Sequence, residues 1–306
     1  QTGGYGDSGV HATELQDNDT LTDVSFFVLK GQVDDEVMAK LNEKGLAVVR
    51  EFKRKVADGT QVLPGQSQEC FDHSMLALML EAGNMSEEEM SATMINTLLA
   101  ASEGPAAGLS LILTELMNNA DVQQKLANEL AAAAATSAGS SSSWERQRLA
   151  ASKQRQLVST YDTLPYLTGT VLEGLRLYSP VTLVQRQTLR DTQLDGHFVP
   201  KGTVCCVCIA AVHRDEAQFV NTLFDPERQH LNYTLLKEDA CFMTFSGGPR
   251  GCPGKYLAIT IMKQALAKII GKYNLMPAEQ PKDVPGKVYK FVEWNVGGLF
   301  INLTPW

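Results

Sequence analysis

Residues 245–254 read FSGGPRGCPG, and they hold four glycines, two prolines, one arginine and one cysteine. The run is too rigid and too poor in side chains for ordinary core. Cys252 is the residue in it that can do chemistry, as buried filler, disulfide half, nucleophile, metal ligand or haem ligand. A nucleophilic cysteine needs a histidine base close in space. His213 and His230 exist, but nothing in their local sequence pairs them with Cys252. A structural zinc site takes four ligands, usually with paired Cys-x-x-Cys spacing, and that spacing is missing around Cys252. A lone thiolate in a glycine-rich loop ahead of a helix fits a haem iron ligand better. Glycines let the backbone approach a flat macrocycle, and a helix N-terminus with nearby amide hydrogens stabilises the thiolate.

A second constellation is Glu173 and Arg176, three apart in LPYLTGTVLEGLRLYSP (164–180). At that spacing both side chains share one helical face and can pair directly. Alone the pair carries little information, because any surface helix can hold one. The remaining cysteines, Cys70, Cys205, Cys206, Cys208 and Cys241, read as small buried hydrophobes. On a strand, Cys206 and Cys208 share one face and Cys205 takes the other.

The elements that must position these groups follow from periodicity. Residues 1–34 are polar and glycine-rich and read as an extended arm. A helix is expected over 34–56, with Val37, Leu41, Ala47, Val48 and Phe52 as its apolar stripe. A shorter one over 69–83 ends at Gly83. The longest pattern, 86–119, opens with Ser86 and Glu89 as a capping box and reads as a buried central helix. Pro105 should kink it. Another helix covers 120–135, before a flexible low-complexity insertion at about 136–145. The helix 164–180 stops at Pro180, and 196–212 reads as two strands around the turn PKG. A helix starts just after Cys252 and fades near Gly271. Residues 287–303 read as a hairpin turning at Gly297–Gly298. The fold class is mainly α, of the α+β type, with a small antiparallel sheet near the C-terminus.

Composition is ordinary for a globular protein, with 44% hydrophobic and 20% charged residues. The net charge of −8 argues against a nucleic-acid partner, which demands a basic surface. Six irregularly spaced cysteines in a chain of this length point to a reducing intracellular compartment or organelle rather than to a disulfide scaffold. No transmembrane segment is expected: the longest apolar stretch, 94–116, is interrupted by Glu103, Gly104 and Pro105. The first residue is Gln1, so an N-terminus processed upstream is an open expectation.

Phe245-x-x-Gly248-x-Arg250-x-Cys252-x-Gly254 resembles the haem-binding loop of the cytochrome P450 family at every defining position. Further elements follow in the family's order: LEGLR with Glu173 and Arg176, Arg186 after that helix, VPKGT (199–203), HRD (213–215) and FDPER with Arg228. The resemblance implies a P450-like helical domain over 35–306 that binds haem b if its pocket is complete, with Cys252 as axial iron ligand. It also implies that Phe245 shields the sulfur, that Arg186 and Arg250 reach the haem propionates, and that Arg228 completes a network with Glu173 and Arg176.

The sequence departs from the family twice. In AASEGPA (100–106), Ala100, Ala101 and Glu103 match, but Gly104 or Pro105 stands where the family has the threonine that helps deliver protons to iron-bound oxygen. Glu103 is then the candidate catalytic acid, or a cap at the Pro105 break. The resemblance also starts only at about residue 37, so the family's N-terminal part is expected to be absent.

Two functions follow. One is a haem-thiolate oxidoreductase acting on an apolar small molecule and served by a redox partner or reductase. It would be a monooxygenase, or a peroxide-using or oxygen-independent variant that needs no threonine relay. The other is a non-catalytic, P450-derived structural or accessory subunit, with a protein partner covering the missing part and the 1–34 arm ordering on it.

Overall fold

The computed structural model describes residues 35–59, 74–137, 161, 163–219, 221, 223–228, 241–278, 287–289, 293–295 and 301–306. The 1–34 arm, most of the 136–145 insertion, Cys70, His230 and the Gly297–Gly298 turn lie outside them. The chain divides into two compact units, 1–99 and 100–306. Helix α3 (Glu87–Asn118) runs through the division.

In the first unit, α1 (Asp35–Ala57) buries Gly45, Val49 and Phe52, spaced i, i+4 and i+7, while Ala47 and Val48 stay exposed. Phe52 is buried and Leu41 half-buried as expected, but Val49 rather than Ala47 and Val48 packs inward, because Gly45 decides which face packs. A Cβ there would collide with Ser91 Oγ and come within 2.8 Å of Ile95 Cδ1, both on α3. The bare backbone therefore lets the two helices touch. Arg50 and Lys53 both pair with Glu87 across that contact, at 3.0 and 2.8 Å. Helix α2 (Met75–Ala82) is shorter than expected, because Ser74 caps it: its Oγ accepts from the Ala77 N–H at 3.3 Å. The capping box of α3 forms in both directions, Ser86 N–H donating to Glu89 at 2.7 Å and Glu89 N–H donating to Ser86 Oγ at 3.1 Å.

In the second unit the 100–118 part of α3 continues through Pro105, which is housed inside the helix rather than ending it. By length and apolar composition alone α3 is sufficient to cross a membrane, where the sequence suggested no such segment. Ala107, Leu111, Ile112 and Leu116 are nevertheless fully buried in this unit. Around it pack α4 (Ala120–Ser137), α5 (Pro165–Leu177) and α7 (Lys255–Ile270), with Leu126, Leu167, Val171, Leu172, Ile259, Met262 and Leu266 filling the core. Every residue of α5 from Leu167 to Leu177 is buried. Two close approaches allow this. A Cβ on Gly174 would overlap Ile112 of α3, and one on Gly169 would overlap the carbonyl oxygen of Pro226. The first turn of α5 is capped from α4, where Glu129 accepts the Tyr166 and Leu167 N–H groups, each at 2.8 Å.

The strands form two-stranded antiparallel ladders. β1 (Leu183–Gln187) pairs with β4 (Val204–Cys208), and β2 (Thr192–Leu194) with β3 (His197–Val199). The two strands flanking PKG therefore both exist but pair with other partners. Helix α6 (Ile209–Val212) is one turn after β4. β5 (Tyr273–Pro277) pairs with β8 (Ile301–Pro305), and β6 (Lys287–Tyr289) with β7 (Glu293–Asn295). The end of the chain is thus not one hairpin: its last strand returns to the end of α7. Gln123 secures that return, donating to Leu116 and Leu275 carbonyls at 2.7 and 3.0 Å and accepting the Leu275 N–H at 2.8 Å. The architecture is mostly helical with small antiparallel sheets, as the sequence led us to expect.

Candidate functional site

Helix α5 places Glu173 and Arg176 on its buried face, both with no exposed side-chain surface. The guanidinium grips the carboxylate bidentately, Nε to Oε2 and Nη2 to Oε1, each at 2.7 Å. This is no surface ion pair. Two charges removed from water are tolerable only with short, multiple hydrogen bonds. Arg228 comes from the 223–228 segment, its Nη2 3.2 Å and its Nε 3.3 Å from Glu173 Oε1. The Asp225 N–H donates to the same oxygen at 3.2 Å. Arg228 Nη2 also donates to the Asn221 carbonyl at 2.7 Å, and Arg176 Nη1 to the His213 carbonyl at 2.6 Å. One carboxylate therefore organises two guanidiniums, which in turn tie down two loops. Glycine at 169 lets the Pro226 backbone come close enough for this.

His213, just past α6, is fully buried. Its ring stacks on Phe242 at 5.4 Å between centroids and meets Phe219 edge-on at 6.1 Å. Nε2 accepts the Met243 N–H at 2.8 Å, so the proton of the neutral ring sits on Nδ1, which faces the Arg176 carbonyl at 3.0 Å. Burial pushes its pKa down to about 4, with the charges of Arg176 and Arg214 acting in the same direction and the Arg176 carbonyl opposing them.

The cysteine loop hangs from this framework. Thr244 Oγ1 donates to the Leu175 carbonyl at 3.0 Å, and Phe245 packs against the core cluster. The Cys252 N–H donates to the Phe245 carbonyl at 2.8 Å, which closes the loop. Within it Gly248–Arg250 make one 3₁₀ turn, and Ser246 and Gly248 take left-handed φ values of 56° and 69°. Gly248 bears this without strain, whereas Ser246 does not have glycine's freedom. Gly254 is the N-cap of α7, two residues after Cys252, and a Cβ on it would stand 3.9 Å from Cys252 Sγ. The Cys252 side is exposed. Arg186, on β1, reaches the loop through a 3.4 Å contact from Nη2 to Ser246 Oγ, and Arg250 lies half-buried in the loop itself.

These residues fit a flat, thiolate-ligated group. A Cβ at Gly247 would touch nothing, and its φ of −137° is open to any residue, so packing within the chain does not require glycine there. The open space leaves room for a flat ligand to lie close against the loop. Among the described residues no cluster of three or more His, Cys, Asp or Glu is placed to hold a metal ion.

The site residues read from sequence do not all meet. Glu173, Arg176 and Arg228 converge, and Arg186 touches the loop that carries Phe245, Gly248, Arg250, Cys252 and Gly254. Glu103 is half-buried on α3, and among the described residues no hydrogen bond joins it to that loop. His213, Asp225, Thr244 and Ser246 were missed as positioning groups. The HRD triplet was the one available signal, and it gave no hint of the ring's two partners. Cys206 and Cys208 share one exposed face of β4, with Cys205 half-buried opposite, so the pair are not buried filler. Their two-stranded sheet has no layer over that face among the described residues.

A family profile described as Cytochrome P450 matches residues 18–295, beginning earlier than the motifs alone suggested. Cytochrome P450 4F1 of Rattus norvegicus is 26% identical over 270 residues, covering 85% of this chain and 48% of the relative. Cytochrome P450 3A29 of Sus scrofa is 31% identical over 219 residues, covering 67% and 40%. Cytochrome P450 4ae1 of Drosophila melanogaster is 35% identical over 150 residues, covering 49% and 30%. The chain spans about half the length of the curated relatives it matches.

Proposed function

The chain belongs to the cytochrome P450 family, and from that premise we propose that it acts as the cysteine-bearing part of a haem-thiolate monooxygenase for an apolar small molecule. The observation that carries this reading is the presentation of Cys252: an exposed thiol on a loop anchored to a buried ion network and closed over a helix N-terminus.

Haem b, when bound, supplies the redox and oxygen-activating chemistry, and a thiolate ligand donates electron density to it. The chain's own residues do the rest. Cys252 Sγ would be the ligand atom. Phe245, packed against the core, would shield the sulfur once the ring is bound. Gly248 and Gly254 leave the loop low enough for a flat ring to approach. Arg250 and Arg186 present guanidiniums that would hold the carboxylates of the haem once it is bound. Glu173, Arg176 and Arg228 hold the loop's foundations and touch no substrate. Electrons arrive from a redox partner or reductase.

Glu103 is the acid on α3 suited to relay a proton. Gly104 beside it has no hydroxyl, and the space where a side chain would stand is open. That observation favours a route through water to Glu103, or a peroxide-using variant that needs less proton delivery.

The test is the absorption spectrum of the purified chain with haem, reduced under carbon monoxide. A red-shifted thiolate-type Soret band that disappears in Cys252→Ser is the expected result. A folded sample without haem absorbance, or a band indifferent to the substitution, overturns the reading.

A further inference from the structure

His213 joins the two halves of the framework, and its environment is built for one protonation state. Three elements meet on it. From α5 comes the Arg176 carbonyl, which accepts from Nδ1–H, while Arg176 Nη1 returns a bond to the His213 carbonyl. From the stretch leading into the cysteine loop comes the Met243 N–H, donated to Nε2. Phe242 and Phe219 cover the ring's faces and edge. Met243 stands two residues before Phe245, whose carbonyl holds the Cys252 N–H, and the Met243 carbonyl accepts the Ser246 N–H at 2.8 Å. A displacement at Met243 thus passes to both ends of the loop.

We infer that His213 is a positioning residue for the cysteine loop: neutral, with its proton on Nδ1, it fastens Met243 to Arg176 and fixes where Cys252 stands, and a second proton unfastens it. A solvent proton taken up at Nε2 leaves two donors, Nε2–H and Met243 N–H, facing each other, so the amide must move away. The charged groups facing the ring are Arg176, with Glu173 behind it on α5, and Arg214 on the ring's own turn. Phe219, Phe242, Met243 and Thr244 add no titratable group. The two cations nearest the ring oppose the second proton, and so does burial, which places the release at about pH 4.

The consequence for Cys252 rests on the haem reading; the coupling of His213 to Met243 does not. The experiment keeps the two apart by using the whole chain and two variants. His213→Phe keeps the ring and its stacking but makes neither hydrogen bond. His213→Gln offers an oxygen to Met243 at the Nε2 position and has no titratable group. The first readout is hydrogen exchange at the Met243 amide, corrected for the intrinsic effect of pH. In the native chain protection is expected at neutral pH and lost toward about pH 4. In His213→Phe exchange should be about tenfold faster or more at neutral pH and indifferent to acid. In His213→Gln protection should return and stay through the acid range. The second readout is the reduced, carbon monoxide-bound spectrum, whose thiolate-type band should weaken in the native chain over the same acid range and persist in His213→Gln.

Unchanged Met243 protection in His213→Phe, or a native chain whose Met243 protection ignores acid, overturns the inference. If His213→Phe fails to fold, the native titration and His213→Gln still decide it. Absent haem binding with a normal exchange pattern refutes the haem reading and leaves the coupling of His213 to Met243 standing.

Discussion

Glu173 carries two guanidiniums in a place where water cannot help it. Its carboxylate is bound bidentately by Arg176 at 2.7 Å and by Arg228 at 3.2–3.3 Å, and it accepts the Asp225 N–H as well. Making it neutral at nearly constant shape, in Glu173→Gln, leaves two positive groups facing each other with nothing between them. Removing one partner of a buried ion pair costs about 3–5 kcal/mol. We expect a loss of that size in urea unfolding of the whole chain. A loss under about 1 kcal/mol, the range of exposed pairs, would mean that the network is a surface feature. Haem content should fall with it, because the same groups carry the loop through His213 and the 221–228 segment.

Glycines at the crossings decide how the helices sit, and they separate into two kinds. Gly174 of α5 lies against Ile112, whereas Gly104 of α3 has open space where a Cβ would stand. Gly174→Ala should therefore cost about 1–3 kcal/mol through overpacking. Gly104→Ala meets no other element, but its Cβ would stand beside the Pro105 ring inside the helix, which offsets the gain in helix propensity, so it should change stability by less than about 1 kcal/mol. Thermal melts should show the larger loss in Gly174→Ala, and a Gly104→Ala loss as large as that of Gly174→Ala would refute the assigned crossings. This contrast also shows what was legible beforehand. Helix positions came from periodicity, and the capping box at Ser86 and Glu89 was readable because it is local. The packed face of α1 was not, because Gly45 looks like any glycine until Ser91 and Ile95 are beside it. Strand pairing failed for a related reason. PKG and Gly297–Gly298 suggested tight hairpins, but β4 pairs with β1 across the intervening β2–β3 ladder, and β8 with β5 across the intervening β6–β7 ladder. The cysteine loop was legible because its spacing is a motif. Its suspension from His213 was not, since 30 residues separate the ring from Met243.

At the scale of the molecule, that buried ring links stability to pH. Its pKa is depressed from 6.5 in the unfolded chain to about 4 in the folded one. A depressed value means that the unfolded state takes up the proton first as acid is added. The stabilisation is therefore complete above about pH 6.5, declines as pH falls, and is gone below about pH 4. The full span corresponds to about 3 kcal/mol, a substantial share of a domain's usual 5–15 kcal/mol. Carboxylates titrate near the lower end of the same window, so the total slope is not His213's alone. The difference between the native chain and His213→Gln isolates it, because the amide oxygen can still accept the Met243 N–H and takes up no proton. Urea midpoints measured across the range should run parallel above about pH 6.5. Below it the native curve should drop away from the variant's, then run parallel again under about pH 4. Curves parallel throughout would show that the folded chain accommodates a charged ring at 213, and the neutral connection between the ion network and the cysteine loop would have to be abandoned.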